Sequence, residues 1–211
     1  MKRLLLPLAL AAVFVLLFDS PVVYPFRLFV VFLHEMGHAL AAVLTGGEVL
    51  RIGISRDEGG VCVTRGGIPF VVLNAGYLGS LLFGALFLLL GARRRNAAPV
   101  LGAIGAFTAL AALLYVRTWF GFAYTLAAGL VLLLVAARLR PAASEWLLAA
   151  IGSMSMLYAL ADIASDVIFR HSGQSDAAAL ARLTGMPALA WGLVWIVVSL
   201  GVLAGVVRRL A

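Results

Sequence analysis

Residues 32–44 read FLHEMGHALAAVL. The stretch holds two of the chain's three histidines, His34 and His38, together with Glu35. Apolar residues flank this trio on both sides, so three ionisable groups sit in a segment suited to lipid. One such group at the centre of a bilayer costs about 2.5–3.5 kcal/mol on the insertion scale, and three together call for a function. Read as a helix, the spacing puts His34 and His38 on one face, one turn apart. Two imidazole nitrogens placed that way can hold a single metal ion. Glu35, beside the first histidine, is positioned to work on water at that metal, in the pattern His-Glu-x-x-His. The plainer alternative is a polar face that joins helices through hydrogen bonds.

The composition says where this helix lives. Hydrophobic residues make up 64% of the 211-residue chain and charged residues 12%, whereas soluble domains run nearer a quarter charged. Apolar runs long enough to cross a bilayer recur along the whole length. Helices are predicted at 4–18, 24–45, 69–91, 98–116, 121–137, 145–169 and 188–207. The first is short for a span, so the reading is a single domain over 1–211: an all-α polytopic membrane protein with six or seven transmembrane helices. The opening MKRLLLPLALAAVFVLLF reads as an uncleaved first helix, because no small-x-small cleavage site follows it directly. Ser144 is the predicted cap of the sixth helix, and a short interfacial helix is expected over Asp176–Leu183. Tyr24, Trp119, Tyr124, Trp146 and Trp191, near helix ends, read as interfacial anchors. The net charge of +7 comes from arginines clustered between apolar runs, which fits lipid headgroups and not nucleic acid. A single cysteine, Cys62, rules out an internal disulfide and a cysteine-rich metal site.

One segment breaks the helical pattern. Residues 46–68 begin GGEVLRIGISRDEGG, and Leu50, Ile52 and Ile54 alternate with Arg51, Gly53 and Ser55. After the turn, Val61 and Val63 alternate with Cys62 and Thr64. Period-two patterning around a Gly-rich turn predicts a β-hairpin between the second and third apolar segments. Lipid would leave its strand edges unsatisfied, so it belongs at the surface or in a protein-lined cavity.

A hydrolytic zinc site needs a third protein ligand and leaves the fourth position to water. Asp162 and Asp166 stand four apart within an apolar run and share a helix face, so either can supply the carboxylate, Asp162 from the deeper position. Pairing with arginine is the competing role for both. His171 lies beyond the end of that helix, in a polar stretch. In NAGYLGSLLFGALF (74–87), Gly76, Gly79, Ser80 and Gly84 read as a close-packing face. The Asn74 amide is placed either to donate to a substrate carbonyl or to cap a helix.

Taken in order, HEMGHALAAVLTGG, DEGGVCVTRGG, AGYLGS and DIASD…SDA resemble the site-2 protease family of intramembrane zinc metallopeptidases, in particular its compact, mostly bacterial members without a PDZ domain. The resemblance implies Zn²⁺ as cofactor, His34 and His38 as its ligands, Glu35 as the catalytic base, and an aspartate on a later helix, matched by Asp162 or Asp166. It departs from the better-known members at that aspartate, which stands in ADIASD and not in an Asp-Gly motif. It also implies that an edge strand holds unwound substrate, through Val49–Ile54 or Val61–Thr64, with Ile52 and Val63 as representative positions. The expected function is hydrolysis of peptide bonds in transmembrane or membrane-proximal segments by zinc-activated water, in a bacterial cell membrane. The alternative is a metal-binding scaffold, or a binder of transmembrane segments, that cuts nothing. Such a binder needs the two histidines but not Glu35 between them.

Overall fold

The computed structural model describes residues 2–168 and 175–211, with the backbone alone for 2, 3, 94, 95 and 166–168. The described elements are α1 (Lys2–Leu16), α2 (Tyr24–Leu44), β1 (Glu48–Ile54), β2 (Gly60–Arg65), α3 (Pro69–Gly91), α4 (Arg94–Tyr115), α5 (Trp119–Arg138), α6 (Pro141–Ile168), α7 (Asp176–Thr184) and α8 (Ala188–Leu210). Six helices, namely α2 to α6 and α8, contain stretches long and apolar enough to cross a membrane, and α1 is shorter. The chain is an integral membrane protein, all-α apart from one hairpin.

Proline sets several helix starts. Pro25 and Pro69 occupy the first turns of α2 and α3, and α6 opens on Pro141, where the missing amide costs no hydrogen bond. The early start of α6 corrects the reading of Ser144 as a cap: that residue is buried inside the helix, and its hydroxyl has no hydrogen-bond partner among the described residues. The tryptophans divide. Trp119 and Trp146 are exposed, as anchors should be, whereas Trp191 is buried and donates to Thr184 Oγ1 at 3.1 Å.

Small residues bring the helices together. A Cβ at Gly37 would overlap the Ala75 carbonyl, and one at Gly79 would lie 2.9 Å from Gly37 Cα, so α2 and α3 touch backbone to backbone. A Cβ at Gly84 would lie 2.8 Å from the Gly152 carbonyl, which joins α3 to α6 in the same way. In lipid this contact replaces the hydrophobic drive available in water. It brings the helix carrying HEMGH onto α3.

The hairpin folds back into the protein. Ile52 and Ile54 are fully buried and join the core around Phe29, Phe32 and Val116. The strands are antiparallel, with Ile52 opposite Cys62 and Gly53 opposite Val61. The register shifts between Val49 and Arg51. That bulge puts Leu50 out of phase with Ile52 and Ile54, and Leu50 is exposed. The second edge of β1 is also occupied. Arg117 N donates to Ile52 O at 2.9 Å, and the Thr118 hydroxyl accepts from Ile54 N at 3.0 Å and donates to Ile54 O at 2.9 Å. Among the described residues, the second edge of β2 carries no strand.

Helix α7 docks on the bundle where an interfacial helix was expected. Ser175 caps it, accepting from Ala178 N at 3.3 Å, and Gly185 closes it at φ 77°. Ala177 and Leu180 pack with Tyr77, Ile163, Trp191 and Trp195. Asp176 is thereby carried inward.

Candidate metal centre

His34 and His38 lie one turn apart on α2, and their Nε2 atoms are 3.1 Å from each other. Asp176 Oδ2 is 3.1 Å from each of these nitrogens. Among the described residues, these three form the cluster whose ligand atoms converge as a metal site requires. Both histidines are held from behind. His38 Nδ1 donates to the Val72 carbonyl at 2.7 Å, leaving its Nε2 to offer a lone pair. The Tyr77 ring stands edge-on to His34, with centroids 4.7 Å apart.

The donor set fits a zinc ion. Three lone-pair atoms crowded together repel unless a proton or a cation sits between them. Around a tetrahedral ion with bonds of about 2.0 Å, ligand atoms stand about 3.3 Å apart, close to the 3.1 Å seen here. Gly76 keeps that space open: a Cβ there would collide with His34 Nε2 and lie 2.6 Å from His38 Nε2.

The cluster opens into a cavity of about 460 Å³ lined by α2, α3, α6, β2 and the start of α7. Glu35 is buried on its wall, outside the triad. A Cβ at Gly60 would overlap Glu35 Oε1, so the hairpin reaches the carboxylate only because a glycine stands there. Asp162 lines the same cavity but lies outside the triad. The side chain of Asp166, and all of His171, fall outside the described residues. Asn74 is engaged within the protein: its Nδ2 donates to Phe70 O at 2.8 Å, and its Oδ1 accepts from Trp195 Nε1 at 2.8 Å. It ties α3 to α8 from within α3 and caps no helix end.

The ladder shows which hairpin main-chain groups face the cavity. The Ile52 carbonyl turns toward Arg117, and the Ile54 amide and carbonyl toward Thr118. By the alternation of an antiparallel pair, Arg51 and Gly53 then bond to Val63 and Val61. The outward groups of β2 therefore belong to Gly60, Cys62 and Thr64, and all three residues line the cavity. Ile52 and Val63 both lie in the hairpin, with main-chain groups turned away from that edge.

Fold and site together define a polytopic membrane protein with a His₂-Asp candidate metal centre and a neighbouring glutamate in a cavity flanked by an open strand edge. The family model described as Peptidase M50B-like matches residues 7–206, and the chain belongs to that family. Membership supports the resemblance to the site-2 proteases and points to a protease of the membrane. No curated protein and no solved structure matches the chain.

Proposed function

We propose that this chain is an intramembrane zinc metalloprotease of a bacterial cell membrane, cutting transmembrane or membrane-proximal segments. The observation that carries this is the convergence of His34, His38 and Asp176 beside Glu35, in a cavity bordered by β2. Zinc bound by the triad supplies Lewis acidity, acidifying water toward neutrality and polarising a carbonyl. Glu35 accepts the proton of the attacking water as its oxygen bonds to the peptide carbon. It then delivers that proton to the amine nitrogen as the C–N bond breaks. The Val72 carbonyl fixes the His38 ring and the Tyr77 ring backs His34, and Gly60 leaves the Glu35 carboxylate free to move a proton.

A helix hides its peptide bonds, so substrate must unwind before it is cut. The outward amides and carbonyls of Gly60, Cys62 and Thr64 offer an unwound segment a strand to pair with. Cys62→Pro, which deletes an outward amide, should lower cleavage severalfold with zinc content unchanged. Ile52→Pro and Val63→Pro should lower the yield of folded protein, since each strikes a strand inside its hairpin packing. Cleavage per zinc-loaded molecule separates these effects, and full activity in Cys62→Pro would remove β2 as the docking edge.

The direct test uses the purified protein in detergent micelles with a panel of labelled single-span peptides. The expected result is about one zinc per chain, cleavage lost on chelation, and cleavage restored by zinc. A metal-loaded protein that cuts no peptide in the panel, and whose autolysis products are also absent, would favour the non-cutting binder.

A further inference from the structure

The turn of the hairpin is held by charged and aromatic contacts at the rim of the cavity. Glu58, in that turn, has φ 62°, a left-handed conformation uncommon outside glycine. Glu58 Oε1 is 2.8 Å from Arg27 Nη2 of α2, and its Oε2 accepts from Tyr158 Oη of α6 at 3.2 Å. Arg27 is itself fixed. Its Nη1 donates to Phe18 O at 2.8 Å, and its guanidinium lies 5.1 Å from the Phe18 ring centroid. The Phe18 ring in turn stacks on Tyr158, with centroids 6.0 Å apart. Arg27 and Glu58 are mostly buried, with side chains 12% and 20% exposed. Both Glu58 and Tyr158 line the cavity that holds Glu35.

These contacts do more than tie a loop down. Glu58 stands two residues before Gly60, the residue packed against the Glu35 carboxylate. The turn between them is short and internally bonded: Ser55 N donates to Gly59 O at 2.9 Å, and Gly59 N donates to Ser55 Oγ at 3.1 Å. A displacement of Glu58 is therefore passed to Gly60 and to the outward edge of β2. The positive φ at Glu58 is strained for a non-glycine residue, so its contacts must outweigh that strain.

We infer that Arg27, Glu58 and Tyr158 form a latch that sets the distance between the β2 edge and the metal site, acting as positioning residues for the peptide the strand presents. The inference rests on the protease reading for its effect on catalysis, but the latch itself has a readout without catalysis. Cys62 is the chain's single cysteine, on β2 and inside the cavity. Burial, reinforced by the Glu35 charge, pushes its thiol up to about 12, so little thiolate is present for labelling near neutral pH. A released hairpin exposes that thiol.

The experiment compares the intact protein with Glu58→Gln, Arg27→Gln, Tyr158→Phe and Glu58→Gly. Maleimide labelling of Cys62, zinc content, and kcat and KM on a labelled single-span peptide are read for each. Glu58→Gly relieves the backbone strain while removing the carboxylate, so it offsets part of the lost contact energy and still opens the latch. The four variants should label severalfold faster, keep their zinc, and lose on the order of ten- to a hundredfold in kcat/KM, the scale of a positional error near 1 Å. The double variant Arg27→Gln/Glu58→Gln should lose less than the product of the two single losses, because both break the shared Arg27–Glu58 contact. Faster labelling in a protein that cuts no peptide would uphold the latch and sink the protease reading. Unchanged labelling in Glu58→Gly and Tyr158→Phe would overturn the latch, whatever happens to cleavage.

Discussion

Glu35→Gln should leave zinc in place and reduce cleavage by on the order of 10²–10⁴-fold, the usual contribution of a positioned acid–base group. The two halves of this result have separate causes. Zinc retention follows from geometry: the three converging ligand atoms belong to His34, His38 and Asp176, and Glu35 stands outside them. Loss of cleavage follows from chemistry, since an amide of nearly the same shape cannot accept the proton of the attacking water. Gly60→Ala should give a weaker version of the same phenotype, because the added methyl would overlap the Glu35 carboxylate and must displace it. Zinc measured by plasma emission, alongside peptide cleavage on the same preparation, checks both halves. A Glu35→Gln protein stripped of zinc as fully as His34→Ala would show that Glu35 is a ligand and that the assignment of roles is wrong.

How far the sequence leads depends on how local each signal is. Helix positions follow from punctuation within a few residues: Pro25 and Pro69 stand in the first turns of α2 and α3, whereas α4 and α6 start ahead of the predicted 98 and 145, at Arg94 and Pro141. The His34–Glu35–His38 geometry is set by one turn of helix and needs no tertiary information. The hairpin is legible for the same reason, through alternation around a Gly-rich turn. Its open edge is not, because alternation fixes which way side chains point and leaves open which strand edge is covered. That is decided by Arg117 and Thr118, the latter 64 residues from Ile54. The outward main-chain groups of β2 are those of Gly60, Cys62 and Thr64, two of them within the expected Val61–Thr64 stretch, while those of Ile52 and Val63 turn away from that edge. Leu50 departs from the alternation through a bulge, which a period-two count does not register. The bond that Asn74 accepts from Trp195, which lies 121 residues away, is equally invisible to sequence.

The candidate third ligand is the sharpest instance, and it yields the second large prediction. A search confined to acids within apolar runs selects Asp162 and Asp166 and passes over Asp176, which stands in the polar stretch before α8. Asp176 meets His34 across 142 residues of sequence. The available signal was the short pattern Ser-Asp-Ala-Ala-Ala-Leu: a cap at Ser175, an acid at the helix start, and small or apolar residues at 177 and 180 to dock it. Asp176→Ala should therefore lose zinc by more than the roughly 10–100-fold that removal of an outer hydrogen-bond partner costs a metal site, and cleavage should vanish with the metal. Asp162→Ala should keep its zinc. Asp162 lines the cavity, and its negative charge reaches Glu35 and Tyr158, so its loss should alter cleavage without emptying the site. Asp176→Glu adds a methylene to a carboxylate delivered by a docked helix, and should retain weakened zinc binding where Asp176→Ala retains none. Zinc titration with a competing chelator ranks the three variants. If Asp162→Ala loses the metal and Asp176→Ala keeps it, the carboxylate ligand comes from α6, and α7 only covers the cavity.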